Sequence, residues 1–509
     1  MELLQPTASP KKRDTVALLL SERKRSDLVL FLSLFSGMLG LVFLLVVAAV
    51  STGFFLAVQL LVVSIILVLT FRWPVIGFFA VLSCTLLIEQ NPLLVFGGTP
   101  NVFVFYWPLA LQGLPDRPIG FFMLFVLLVM IVQNLLKRQK MVQGGQLILP
   151  FTLFLLCIVW GIVHGLATGG NLKITVNEVR SFWYLFLGYL LAYNLVRSRL
   201  HLRYFFWLVI ACAGIKALEG VYIYFIVIHG DLADYHQIMS HEESYFWISI
   251  LLLIALFSLY YKYHPQFYTA LALLPFLLIS LIANNRRADF IALLVGLLVA
   301  WALIFAIKPE ARKLLAVLLL LTLLPGSTYV ALFYKGAGGF SEPARAIVSV
   351  FHPDPSDAAS NLYRDTENFD LIYTARLNPL GLGFGKPFLE PIPLIDISKD
   401  DPVYNFIPHN TIYWVWMRLG PLGYLALWYL FGAIIVRGCL YARLLRDQYL
   451  RLIAIYVVCM IIMEIMVAFA DYQLSFYRNV IYVGMLAGIL MKLPSIEKQH
   501  AKETSQPCP

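Results

Sequence analysis

Charge is what this chain has least of. Only 13% of its 509 residues are Asp, Glu, Lys or Arg, against 60% hydrophobic, and the mean hydropathy is +0.80. A soluble domain carries about 25% charged and about 45–50% apolar residues, so an ordinary water-soluble enzyme is excluded. Cysteine is scarce as well. Of Cys84, Cys157, Cys212, Cys439, Cys459 and Cys508, five lie in or beside hydrophobic runs and none forms a Cys-x-x-Cys pair. Neither a disulfide framework nor a cysteine metal site is suggested. Ten-residue alternating segments are missing, which excludes a transmembrane β-barrel. No internal repeat is found. The net charge of +9 is scattered between hydrophobic segments, so nucleic acid is not an expected partner.

What is present is a series of continuous apolar runs, each near the twenty residues that cross a bilayer. Spans are read near 28–50, 53–71, 74–88, 119–136, 148–168, 181–197, 203–229, 244–262, 266–284, 287–307, 312–333, 411–436, 451–470 and 474–491. The expected fold is all-α: a polytopic transmembrane bundle of about 12–14 spans with one large extracytoplasmic loop containing short helices. The chain divides into a basic cytoplasmic tail (1–27, with no cleavable leader expected), eleven spans in 28–334, the loop 335–410, three spans in 411–492 and a tail 493–509. With the N-terminus in the cytoplasm, cytoplasmic segments hold 24 Lys and Arg against 8 Asp and Glu, and outer segments 13 against 19. That asymmetry follows the positive-inside rule and puts both termini inside. Two outer segments are long. Residues 89–118 carry five prolines and suggest a folded or re-entrant loop. In 335–410, Ser356 is placed to cap a helix running to about Leu377, ended by Asn378-Pro379 and Gly381, Gly383 and Gly385.

Basic residues on the outer side oppose the topological bias, so each needs a reason. Arg180 stands in Asn177-Glu178-Val179-Arg180, Arg286 and Arg287 in Asn284-Asn285-Arg286-Arg287-Ala288-Asp289, and Arg364 and Arg376 lie in the large loop. Guanidinium groups converging at a membrane surface bind phosphate oxygens in pairs. The plainer alternative is headgroup anchoring, or ion pairs with Glu178, Asp289 and Asp365. His409, in Pro408-His409-Asn410-Thr411, has the chemistry of a general base, although a lone histidine is more often structural.

His409-Asn410 is followed by nine residues, Thr411 to Leu419, and then by Gly420-Pro421-Leu422-Gly423-Tyr424. This resembles the signature of the O-antigen ligase family. Upstream, Arg364 followed by Asn378-Pro379-Leu380-Gly381-Leu382-Gly383-Phe384-Gly385 resembles the loop pattern of that family, and Asn285-Arg286-Arg287-Ala288 stands where the family has a Ser-Arg element. Here the serine is absent and the arginine doubled. The close match covers about 60 residues, and the first 170 match nothing specific. The resemblance implies a bacterial inner-membrane glycosyltransferase, metal-independent and without cofactor. It would move a glycan from undecaprenyl diphosphate to a hydroxyl of a glycolipid or saccharide acceptor on the outer face, inverting the anomeric carbon. His409, Arg364, Arg286 and Arg287 would be catalytic, with Arg180, Asn410, Arg376 and Trp414 contacting substrate. Trp414 and Trp416 also fit an interfacial belt. No Asp-x-Asp or His-Glu-x-x-His pattern stands at the outer face.

Other readings stay open. A polymerase extending a lipid-linked repeat shares the chemistry. A flippase or transporter would also have many spans, but usually with paired halves and midplane charges. His229, Asp231, Asp234, His236, His241, Glu242 and Glu243 crowd one outer segment. Their spacing matches no standard metal site, so a solvated polar loop is expected. Lys216 and Glu219, three apart, are expected to pair within the bundle.

Overall fold

The computed structural model describes residues 54–90, 104, 105, 114, 116–230, 237–261, 264–336, 341–349, 352, 355–396 and 403–505, and no strand occurs among them. The N-terminal tail, the first expected span, most of the segment 89–118, and Asp231, Asp234 and His236 lie outside the described residues. The chain forms two units, Met1–Gly77 and Phe78–Pro509. The first contains α1 (Phe54–Arg72), and α2 (Pro74–Leu87) opens on a proline, whose missing N–H costs a first turn nothing.

In the second unit follow α3 (Pro118–Leu136), α4 (Ile148–Ala167), α5 (Leu172–Leu195), α6 (Arg199–Tyr222, continued by a π turn Ile223–Val227), α7 (His241–Tyr260), α8 (Pro265–Ala283), α9 (Arg287–Ile307) and α10 (Arg312–Phe333). Then come α11 (Glu342–Ser349), α12 (Pro355–Leu377), α13 (Thr411–Leu444), α14 (Gln448–Ala468) and α15 (Tyr477–Ser505). Each expected span within the described residues falls on one of these helices. Among the described residues, nine helices are long and apolar enough to cross a membrane by length and composition, while 58–72 and 74–87 are shorter. The helix expected over 181–197 starts earlier, at Leu172, because the Asn171 side chain accepts from the N–H groups of Lys173 and Ile174 and caps it there.

Burial sorts the helices. Within their apolar windows, α7, α14 and α15 are 78–83% buried, whereas α9 is 22% and α4 and α8 are 33% buried. The first three form the centre of the bundle. α15 lies along α5 at backbone contact: a Cβ at Gly484 would stand 2.2 Å from the Leu185 carbonyl oxygen, and one at Gly488 2.5 Å from that of Tyr189. This Gly-x-x-x-Gly pair brings two helices together by dispersion contacts that larger side chains would prevent.

Polar chemistry separates the two ends of the unit. At one end, Arg199 pairs with Asp447 at 2.8 Å, Gln266 donates to the Arg203 carbonyl, and Arg451 caps the Leu445 carbonyl. At the other meet the start of α7, the end of α8, the starts of α9 and α13, and the turn between α14 and α15. Asn284 binds Ser244 at 2.8 Å there, and Thr411 donates to the Ala468 carbonyl at 3.0 Å.

Candidate active site

Helix α12 builds the site by lying against the start of α13 in a fixed register. Glu367 meets His409 and Asn368 meets Asn410, consecutive residues on each side. Glu367 Oε2 accepts the His409 backbone N–H at 3.0 Å, and its Oε1 lies 3.1 Å from the ring Nδ1. Asn410 donates to Asn368 at 2.9 Å, while its Oδ1 accepts the Tyr413 N–H at 3.0 Å and caps α13. The expected helix in the large loop is present over Pro355–Leu377, one residue ahead of Ser356, and ends before Asn378-Pro379 as read.

The Glu367 side chain is 1% exposed and that of His409 18%. An ionised carboxylate only accepts, so the proton on the His409 ring belongs on Nδ1 and the lone pair on Nε2. The ring lies on Tyr472, centroids 4.4 Å apart, with Tyr363 edge-on at 5.7 Å. The histidine is therefore clamped on three sides.

Around it stand the arginines. Arg286 ion-pairs with Asp471 in the α14–α15 turn, and its Nη2 lies 2.7 Å from His241 Nδ1. His241 itself contacts Asp471 at 3.1 Å. Burial opposes ionisation of Asp471, yet the Arg286 guanidinium paired with it holds its carboxyl well below the usual carboxylate range. Arg287 donates to Ser349 at 3.3 Å. Arg364 sits one turn before Glu367 and Asn368, on the same face of α12. Burial lowers its guanidinium pKa from the ordinary value; Asp471 and Glu367 oppose this, and Arg286 and Arg287 add to it. Three guanidinium groups thus share one neighbourhood with His409. The large loop brings Arg364 within electrostatic reach of Arg286 and Arg287.

The remaining expected site residues have other partners. Arg180 is held by Asp116 at 3.0 Å, Asn177 at 3.0 Å and the Tyr477 hydroxyl at 2.9 Å; its acidic partner is Asp116, not Glu178. Arg376 is exposed in the last turn of α12, twelve residues and therefore about 18 Å from Arg364 along the axis. Trp414 is a correction. It is 0% exposed, with its ring between Phe182 at 5.5 Å and Phe384 at 6.1 Å, so it belongs to the core and neither lines an open site nor forms a belt. The expected solvated loop at 241–243 is corrected too, because Glu242 and Glu243 are buried against Arg478 at 3.4 and 2.5 Å. No group of three or more His, Cys, Asp or Glu suited to a metal occurs among the described residues.

Two buried ion-pair networks support the site, and sequence reasoning found only part of them. Lys216 pairs with Glu219 at 2.6 Å as expected, and also with Glu89 at 2.7 Å. Arg418, 0% exposed, pairs with Glu178 at 2.6 Å and donates to the carbonyls of Gly383, Lys386 and Phe406. Glu178 also accepts the Gly385 N–H at 2.5 Å. The pair fastens the glycine-rich segment 381–385 to α5 and α13. Glu367, Asp471 and Arg418 were missed. A signal for Glu367 was present, since it stands one turn from Arg364 on a helix read correctly.

No family model matches this chain, and no curated protein matches it. The functional reading rests on the site itself and on the motif resemblance.

Proposed function

We propose that the chain is a membrane glycosyltransferase of the O-antigen ligase type, moving a glycan from undecaprenyl diphosphate to an acceptor hydroxyl. The observation that carries this reading is His409, with Nδ1 held by buried Glu367 and Nε2 left for a substrate proton, beside Arg286, Arg287 and Arg364. In the reaction, Nε2 takes the proton of the acceptor hydroxyl as its oxygen attacks the anomeric carbon. The bond from that carbon to the diphosphate oxygen breaks, and undecaprenyl diphosphate leaves with the electron pair. The new glycosidic bond is inverted because attack comes opposite the leaving group. Negative charge grows on the departing oxygens, where preorganised guanidinium groups stabilise the transition state more than the ground state.

In this reading the His409 end of the bundle faces away from the cytoplasm, the whole chain crosses the inner membrane about fourteen times, and both termini are cytoplasmic. The concentration of Arg199, Arg203 and Arg451 at the opposite end supports that orientation. Membrane lipids surround the bundle, and no nucleic acid is involved.

The test is purified protein given an undecaprenyl-diphosphate glycan and candidate acceptors. A glycan joined to a glycolipid or saccharide core is expected; a longer lipid-linked glycan would make the chain a polymerase instead. His409→Ala should lower transfer by about 10²–10⁴-fold while donor binding and melting temperature stay near wild type. A folded His409→Ala variant that transfers within a few-fold of wild type would sink the proposal.

A further inference from the structure

Glu464 stands one turn before the end of α14, at the centre of the bundle and outside the site around His409. It is 0% exposed, and neither carboxyl oxygen has a hydrogen-bond partner among the described residues. The helices packed against α14 include α7, α9, α13 and α15, all described at this level. From α7 the Tyr245 hydroxyl lies near Glu464, but it donates to the Met460 carbonyl at 3.0 Å, so its hydrogen is already engaged. Asp289, in the first turn of α9, lies within electrostatic reach of Glu464. It is 1% exposed, and its Oδ1 has no partner among the described residues either.

An ionised carboxylate buried without a donor is strongly disfavoured, and two carboxylates sharing one site cannot both ionise. One proton removes both difficulties. A metal cation suits the place less well, since Ca²⁺ takes about six to eight oxygens and Mg²⁺ about six, whereas a proton needs no shell. Toward the Arg199 end of the bundle, the Tyr456 and Tyr482 hydroxyls lie 2.7 Å apart. Phe206 then stands edge-on to both Tyr456 and Tyr449, at 5.5 and 6.5 Å, and an apolar ring interrupts the polar groups. The pair therefore communicates with the other end, through Asp289. There Asp289 lies within electrostatic reach of Arg286 and Asp471, and His241 contacts Asp471 at 3.1 Å. Arg286 is the cation that offsets an ionised Asp289.

We propose that Glu464 and Asp289 form a proton-binding site beneath the arginine corner, holding one proton at rest and taking up a second when a diphosphate occupies the corner. The inference rests on the transferase reading only for the diphosphate at that corner. Glu464 carries the resting proton, and Asp289 stays ionised opposite Arg286. A bound diphosphate draws on the Arg286 guanidinium and adds negative charge, so the Asp289 carboxylate gains a proton from water. Linkage makes the two bindings reciprocal. Diphosphate affinity then falls as pH rises, by at most about tenfold per pH unit for one proton.

The experiment uses the full chain in phosphatidylcholine nanodiscs. Infrared difference spectra at neutral pH, wild type minus Glu464→Gln, should show a protonated-carboxyl C=O band that shifts in D₂O. Calorimetric titration with inorganic diphosphate, in two buffers of different ionisation heat, counts the protons taken up on binding. Wild type should take up more than Asp289→Asn, by up to one proton per diphosphate bound. Both variants conserve side-chain volume and melting curves check their folding; Asp289→Ser is the second variant if Asp289→Asn does not fold. The proposal is overturned if no protonated-carboxyl band is lost with Glu464, or if wild type and Asp289→Asn take up equal protons. A band abolished when Na⁺ replaces choline at constant ionic strength overturns it in favour of a cation site. Diphosphate binding without excess uptake refutes this inference alone. Absence of diphosphate binding refutes the arginine corner as a diphosphate site and the linked uptake with it. Excess uptake without transfer to any acceptor refutes the transferase reading while the proton site stands.

Discussion

On the proposed transferase reading, Glu367→Gln isolates the electronic state of the base from its position. In the native site both carboxylate oxygens are engaged, one by the His409 backbone N–H at 3.0 Å and one facing the ring Nδ1 at 3.1 Å. A carboxamide has the same shape and keeps an acceptor for the backbone, but its other arm becomes an NH₂ donor. A donor facing Nδ1 requires a lone pair there, so the ring proton moves to Nε2. His409 then presents an N–H where the acceptor hydroxyl needs a base. The same carboxylate-to-amide change in Ser-His-Asp hydrolases lowers kcat by about 10⁴ through the wrong tautomer. General-base catalysis is worth about 10²–10⁴-fold, so we expect a loss in that range, or about 3–5 kcal/mol of transition-state stabilisation. Volume is conserved and one hydrogen bond survives, so melting temperature and donor affinity should barely change. Initial transfer rates at saturating acceptor, read beside a melting curve, decide the matter. A Glu367→Gln enzyme working within about threefold of wild type would mean that the Nδ1 contact does not set the tautomer, and general-base work would have to leave His409.

Arg364→Ala should weaken donor binding as well as rate, because its guanidinium meets charge already present on the diphosphate, and Arg364→Lys should recover only part, an ammonium being unable to make the two-pronged contact; donor titration and rate measure the two effects. Gly383→Ala should lower the melting temperature markedly, since its φ of +80° costs an alanine about 1–2 kcal/mol and the new Cβ would stand 2.4 Å from Gly165 Cα. Asp370 lies buried on α12 with its carboxyl pushed up to about 6 by burial, Glu390 and Glu367 adding and the Ile392 N–H opposing. The folded state thus holds that proton more tightly than an unfolded aspartate titrating near about 4, and stability falls as pH rises between the two values; Asp370→Asn should raise the melting temperature at pH about 8 and lose its advantage near pH about 4.

The fold was readable because membrane helices announce themselves by length and apolarity, and the end of α12 by Asn378-Pro379. Less was readable in the site. Arg286, Arg287 and Arg364 stand out as basic residues on segments expected to be outer, as Arg180 and Arg376 do, and His409 by the motif that follows it; of these, Arg364 lies within electrostatic reach of Arg286 and Arg287. Glu367 and Asp471 follow the bias, since acids are ordinary on segments expected to be outer, and nothing in composition separates them from Asp365 or Glu390. What makes them special is burial against a histidine and an arginine, a property of packing. Trp414 erred in the opposite direction. A tryptophan near a helix start is usually interfacial, but Phe182 of α5 and Phe384 of the glycine-rich segment cover this one.

That glycine-rich segment explains how a motif can be conspicuous in sequence and act at a distance in structure. Pro421 has no N–H, so the Met417 carbonyl loses its helical partner, and Gly420, at φ 67° and ψ −172°, breaks the next hydrogen bond as well. The orphaned oxygens are filled from outside the helix: Leu382 N–H reaches Met417 at 2.8 Å and Gly383 N–H reaches Arg418 at 3.0 Å. Only glycines allow the approach, with φ of +88° at Gly381 and +80° at Gly383. Helix α12 is therefore tied to α13 at two levels, by Glu367 and Asn368 at His409 and Asn410, and by the segment after its C-terminus at the kink. Each tie fixes the register of the other. A slip of one residue in α12 would turn Glu367 by about 100° away from His409. The nine residues from Thr411 to Leu419 are the stretch of α13 between the two ties. Their number follows from the geometry that holds a carboxylate on a histidine, although neither Gly420 nor Pro421 comes near the proton that the histidine would take.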